Sequence, residues 1–352
     1  MMIDPQRILR GGGEANLNIL LEEAGVRRPF LLCGKSFRHL PCAAWKIAAS
    51  PRFDGMRPNP DTESLGQAIA AFRASGCDGL VAVGGGSALD TAKGVKAFYE
   101  TGIDLTAEIM PNALPLIAVP TTAGSGSEST HFAVLYQEGV KHSVSHPSLR
   151  PAAVMLEGGL LKTLPDYQKK CTFLDALCQA IESHWSRKAT PESRALAERA
   201  IRELLTARIP YLAGDAQAAQ RALEAANLAG QAIDHTTTTA PHAMSYKLTG
   251  LYGVPHGHAV ALCLPLVWRH MAERGDAAVR RELDCLSGLL GGDGAETVEG
   301  LLREMEMPSP RVRPEDVPLL AASVNAQRLQ NNPLPLDGAE LRALYAQLAS
   351  AV

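Results

Sequence analysis

Apolar residues follow two rhythms along this chain, and the change from one to the other falls near residue 165. Before it, the short runs FLLC, GLVAV, LIAV, FAVLY and AAVML alternate with amphipathic stretches. These runs predict strands at 29–33, 79–83, 116–119, 132–136 and 152–156, and their nearly unbroken apolar character suits parallel strands buried on both faces. A helix is predicted over 61–75, where Leu65, Ile69 and Phe72 share a face and Gly76 stands where a helix-ending residue belongs. After the LLKTLPD segment the strand signal nearly vanishes, and 167–185, 191–205, 216–229 and 338–351 read as helices. The stretch 307–336, rich in Pro and Asn, reads as loops with short helices. The expected fold class is an α/β, Rossmann-like N-terminal domain (1–163) followed by an all-α C-terminal domain (164–352).

Composition narrows the function classes. The 352 residues are 46% hydrophobic and 20% charged, enough apolar material for a substantial core. A net charge of −3 with both signs interspersed gives no field to gather nucleic acid or an anionic membrane, so a small-molecule partner is expected. Seven cysteines without CxxC pairs, most of them in apolar runs, read as reduced core residues. The N-terminal MMIDPQRILRGGGE lacks the apolar core of a signal peptide, and no apolar run approaches a membrane span, so a cytoplasmic location is expected.

Two loops carry candidate phosphate chemistry. In GLVAVGGGSALDTAK, Gly84, Gly85, Gly86 and Ser87 stand between a predicted strand and a predicted helix. Without a Cβ in the way, the first backbone N–H groups of that helix and its positive end can approach a diphosphate. A glycine-rich turn needed for geometry alone would look the same. The second loop, IAVPTTAGSGSEST, crowds Thr121, Thr122 and small residues at the end of the next strand. Ligands of open α/β sheets bind at carboxyl strand ends, so the pair points to a nucleotide site.

Four histidines crowd the segment HTTTTAPHAMSYKLTGLYGVPHGHAVALCLP. His235 reads as a hydrogen-bonded core residue. His242 and His256 flank a Gly/Pro-containing turn that could let two helices aim imidazoles at one point, as divalent metals require. Asp175, on the mainly apolar helix KKCTFLDALCQAIESHWS, is the candidate carboxylate, because a lone buried acid is costly. Gln179 lies one turn on, on the same face. An Asp that only bonds a neighbouring helix end fits the same spacing.

Taken together, GGGSALDTAK, PTTAGSGSE, DALCQAIES and HAMSYKLTGLYGVPHGHAVA resemble the iron-containing (group III) alcohol dehydrogenases along nearly the whole chain. The resemblance implies the dehydroquinate synthase-like architecture of that family, a homodimer, and dinucleotide contacts at Gly85, Gly86, Ser87, Asp90, Thr121 and Thr122, with Asn59 and Lys141 as further contacts. It also implies a metal held by Asp175, His242 and His256, which are spaced as in the family, the two histidines fourteen positions apart. Gln179 replaces the histidine that the family has on the same helix, which leaves open whether Fe2+ or Zn2+ is bound. Tyr246 stands where the family commonly has another histidine. Within the family, DALCQAIES, SYKLTGLYG and PHGHAVALCLP look most like the branch that reduces phosphonoacetaldehyde, and Lys247 could then face the phosphonate.

The first strand ends in Gly34, Lys35 and Ser36, without the acid that grips the ribose of NAD, so NADP(H) is favoured over NAD(H). The resulting expectation is metal-dependent, NAD(P)H-linked reduction of a small aldehyde to its alcohol, with Tyr246, His258 or the cofactor ribose supplying the proton. A non-redox dehydroquinate synthase-like lyase and a nucleotide-binding regulatory protein with a decayed metal site are the alternatives.

Overall fold

The structure is a computed structural model in which residues 6–57 and 59–350 are described. The chain divides into two compact units. One comprises residues 1–164 with 213–230, the other 165–212 with 231–352.

The first unit is an α/β body. Its strands are β1 (Arg7–Arg10), β2 (Pro29–Cys33), β3 (Arg52–Phe53), β4 (Gly79–Gly84), β5 (Leu116–Pro120), β6 (Phe132–Gln137), β7 (Val140–Ser145) and β8 (Ala153–Leu156). Its first three helices are α1 (Gly13–Glu23), α2 (Thr62–Ser75) and α3 (Gly86–Phe98). Six strands form one sheet in the order β1-β8-β5-β4-β2-β3, every pair parallel. Leu31, Val81, Val83, Ile117, Val119 and Met155 from this sheet share a buried core with Leu17 and Leu20 of α1. The unbroken apolar runs therefore mark strands covered on both faces. Helix α2 starts and stops on local chemistry: the Asp61 carboxylate accepts from Ser64 N at 2.7 Å, and Gly76 takes φ +62°.

One predicted strand is placed differently. FAVLY does not enter the parallel sheet but pairs antiparallel with β7 as a hairpin. Its turn is Glu138-Gly139 with φ of +52° and +77°, the two-residue geometry that matches strand twist. The sequence also hid β1, whose apolar pair is flanked by arginines, and the polar β7.

The second unit is helical, with α4 (Asp166–Trp185), α5 (Pro191–Leu212), the end of α6 (Ala216–Thr236), α7 (Ala240–Tyr252), α8 (His256–Arg274), α9 (Ala277–Leu290), α10 (Gly294–Glu304), α11 (Val317–Ala322), α12 (Ala326–Leu329) and α13 (Gly338–Ser350). Here α4 is central, packing on α5, α8 and α9. A division at 163/164 needs one correction, because 213–230, which holds most of α6, belongs with the first unit. The cause is close packing: a Cβ on Gly126 would meet Gly230 Cα at 2.4 Å, and Asn227 Nδ2 donates to Ser129 Oγ at 2.6 Å. Two further expectations fail on exposure. His235 is exposed at the end of α6, and Cys285 is exposed although the other cysteines are buried or half-buried. Among the described residues, no helix is long and apolar enough to cross a membrane.

Candidate dinucleotide and metal sites

In the first unit, the pairing Gly84↔Pro120 brings both small-residue loops to adjacent carboxyl strand ends. Thr121 N donates to Gly84 O at 3.0 Å. A Cβ on Gly85 would lie 3.2 Å from the Thr122 methyl, and one on Gly86 would lie 3.2 Å from Ser125. The glycines are thus needed for loop to meet loop, and among the described residues no side chain caps the start of α3, so its first N–H groups can serve an anion. Ser87 is half-buried in the first turn. One strand over, where Cys33 pairs with Val83, Gly34 is extended and Lys35, Ser36 and Arg38 are exposed.

Asp90 acts as a brace between the loops. Its Oδ1 accepts from Ser127 Oγ at 2.6 Å and its Oδ2 from Val134 N at 3.1 Å. Burial pushes its carboxyl up, against the pull of Lys93, Ser127, Val134 and Lys141. Lys93 is wholly buried and donates to Thr130 Oγ1 at 2.9 Å and Phe132 O at 2.8 Å. Lys141 lies on β7 opposite Tyr136, and Asn59 is exposed with φ +60°, a conformation Asn tolerates.

The second unit gathers a different set. Asp175, Gln179 and Glu182 follow one another along one face of α4, while His242 sits in the first turn of α7 and His256 opens α8. One ligand atom each from Asp175, His242 and His256 lies within 4.8 Å of the others. His242 Nε2 is 3.4 Å and His256 Nε2 3.9 Å from Asp175 Oδ1. Each imidazole turns its other nitrogen to a support. His242 Nδ1 bonds Glu182 Oε1, and His256 Nδ1 is 3.3 Å from Ser245 Oγ. Glu182 is itself fully buried and fixed, its Oε2 accepting from Thr239 N at 2.6 Å and Thr239 Oγ1 at 2.8 Å.

This set fits a divalent cation. Asp175 Oδ1 and His242 Nε2 are buried, 3.4 Å apart, and among the described residues neither has a well-formed hydrogen bond, although both are strong polar atoms. Two imidazoles oriented by outer partners around a carboxylate match the donors that iron or zinc prefers. Burial acts to raise the Asp175 carboxyl, but His242, His256 and the Gln179 amide outweigh it and hold the group low. His242 shows the converse: burial acts to lower it, and Glu182 and Asp175 push it up to about 9. Gln179 is buried and its amide serves Asp175.

Comparisons with known proteins point to one family. The profile described as "Iron-containing alcohol dehydrogenase" matches residues 5–158, and the one for the C-terminal part of the Fe-containing alcohol dehydrogenase family matches 170–349. The chain belongs to the iron-containing alcohol dehydrogenase family. It is thereby an oxidoreductase of the aldehyde/alcohol class. It is 34% identical over 326 residues to phosphonoacetaldehyde reductase of Streptomyces viridochromogenes, covering 84% of this chain and 81% of that protein. Sulfoacetaldehyde reductase of Bifidobacterium kashiwanohense, solved with NAD+, superposes with a TM-score of 0.90 at 26% identity over 100% of both chains. An iron-containing alcohol dehydrogenase of Thermococcus thioreducens gives 0.88 at 28% identity over 99% of both.

Against the alcohol dehydrogenase background, the three candidate proton or charge groups separate. Tyr246 stacks on His256 with ring centroids 5.4 Å apart and planes 8° apart, and burial pushes its phenol up. His258 is buried instead against Tyr167, whose hydroxyl lies 3.0 Å from Nδ1, and burial pushes it down to about 4. Lys247 is half-buried and makes no hydrogen bond or ion pair among the described residues. Spacing missed Glu182, Ser245, Thr239 and Arg328. Glu182 was findable, since it lies seven residues beyond Asp175 and so on the same helical face. Arg328 was not, because 72 residues separate it from His256.

Proposed function

We propose that the chain is a metal-dependent, NAD(P)H-linked reductase of a short aldehyde bearing an oxyanion, with phosphonoacetaldehyde as the first substrate to test. The carrying observation is the convergence of Asp175, His242 and His256, whose ligand atoms lie within 4.8 Å of one another, two of them buried and without a well-formed hydrogen bond among the described residues. These three residues would hold one divalent ion, Fe2+ or Zn2+, which polarises the aldehyde oxygen when bound. A reduced nicotinamide would supply the hydride. The loops at Gly85–Ser87 and Thr121–Gly126 would hold its diphosphate through backbone N–H groups, and Lys35 with Ser36 would offer charge and a hydroxyl to a 2′-phosphate, which favours NADPH.

The chain's own residues do the positioning. Glu182 keeps the Nδ1 proton of His242 on its side of the ring, so Nε2 stays available as a donor. Ser245 does the same for His256. Tyr246, whose phenol is pushed up by burial and so keeps its proton, stacks on His256, and it supplies or orients the proton for the product alcohol. His258, held by Tyr167, props the start of α8 instead.

The relatives support the substrate class, because two of them are named for two-carbon aldehydes that end in a phosphonate or a sulfonate. Adding phosphonoacetaldehyde to metal-loaded protein and NADPH should oxidise cofactor in proportion to aldehyde. A lyase of related fold would regenerate its cofactor and show no net change. No stoichiometric oxidation with any short aldehyde would remove the proposal.

A further inference from the structure

An oxyanion at the far end of a short aldehyde needs a cation, and Lys247 is poorly placed for it. It follows Tyr246 on α7 and so points about 100° around the helix from the ring that faces His256. A guanidinium lies against the same tyrosine. Arg328 Cζ lies 5.3 Å from the Tyr246 ring centroid, and the ring's stacking partner is His256. Arg328 is half-buried, and among the described residues no carboxylate lies within ion-pair distance of it. Its Nη1 donates to Thr238 Oγ1 at 3.1 Å, which uses one of five donors.

The position of Arg328 is fixed by the loop that supports the candidate metal site. Thr239 of that loop holds Glu182, Thr238 holds Arg328, and Thr236 Oγ1 is 2.9 Å from Ser183 Oγ. Thr237 between them takes φ +58°, a strained choice for a β-branched residue. Asn331, three residues after Arg328, clamps the loop from the other side, donating to Thr236 O at 2.7 Å and Thr238 O at 3.3 Å. A planar guanidinium held beside an aromatic ring, with no acid to match it among the described residues, has the charge and donor geometry that suit a tetrahedral oxyanion.

We infer that Arg328 binds the phosphonate or sulfonate end of the substrate, with the carbonyl end toward Asp175, His242 and His256 and the Tyr246 ring setting the distance between them. This specificity role rests on the aldehyde reductase proposal, but its test does not. Calorimetric titration of the metal-loaded protein with ethylphosphonate, which cannot be reduced, should show binding that weakens about 10- to 100-fold in Arg328→Met. Arg328→Lys should recover part of the loss, because it keeps the charge without the planar fork. Equal affinity in wild type and Arg328→Met, or no binding by wild type, would overturn the role. In turnover, the kcat/KM ratio of phosphonoacetaldehyde to propanal should fall by a similar factor in Arg328→Met, mostly through KM. An equal loss on both aldehydes would mean that Arg328 only props Tyr246, and would overturn it too. If wild type reduced neither aldehyde, the reductase proposal would fail on its own, while the phosphonate titration would still judge Arg328.

Discussion

The two candidate sites are built from opposite materials. In the α/β unit the site is made by what is missing: Cβ atoms at Gly85 and Gly86 would press on Thr122 and Ser125. In the helical unit it is made by what is present, long side chains that meet from α4, α7 and α8. A ligand held by backbone N–H groups depends on loop shape, which steric changes spoil. A ligand held by buried charge depends on side-chain identity and on the residues that aim those side chains.

The comparison breaks most visibly at His256. Replacing it with Ala should lower aldehyde reduction by about three orders of magnitude or more while cofactor binding, followed by NADPH fluorescence, is retained. Loss of both together would mean that the sites are not built independently. The steric counterpart is Gly126→Ala. Its φ of +62° and the 2.4 Å approach to Gly230 Cα should make this one methyl cost about 2 to 4 kcal/mol, read by urea unfolding. A neutral result would show that the loop can move aside.

Smaller changes sharpen the contrast. Glu182→Gln preserves shape and removes the charge behind His242, so metal affinity should fall about 10- to 100-fold in a competition titration with a chelator. Unchanged affinity would reduce Glu182 to a packing residue. Last comes Lys96 of α3, which donates to Leu114 O and to Asn112 and is pushed down by burial to about 8 from 10.5. Below pH 8 it is charged both folded and unfolded, so the cost of burying that charge is constant. Between 8 and 10.5 the folded protein releases the proton while the unfolded chain keeps it, so the Lys96 contribution to stability rises with pH. Lys96→Met should remove that rise from unfolding curves measured across the window.

The same contrast explains what could be read from the sequence. The ends of α2 were legible because Asp61 and Gly76 act on neighbours three or four residues away. The glycine loops were legible because a run of small residues between a strand and a helix is a local feature. FAVLY was misplaced since its apolar run resembles a core strand, and only the Glu138-Gly139 turn distinguishes the hairpin. Asp175, His242 and His256 could be nominated by residue type and spacing. Of the residues around them, Glu182 shares the helical face of Asp175 and was within reach, but Thr238, Thr239 and Arg328 act through contacts that residue order does not reveal.

The central claim is that one divalent cation sits among Asp175, His242 and His256. Crystals grown with Fe2+ and measured at the iron absorption edge should show one anomalous peak bounded by Asp175 Oδ1, His242 Nε2 and His256 Nε2. A peak bound elsewhere, or no peak in protein that reduces aldehyde, would contradict it.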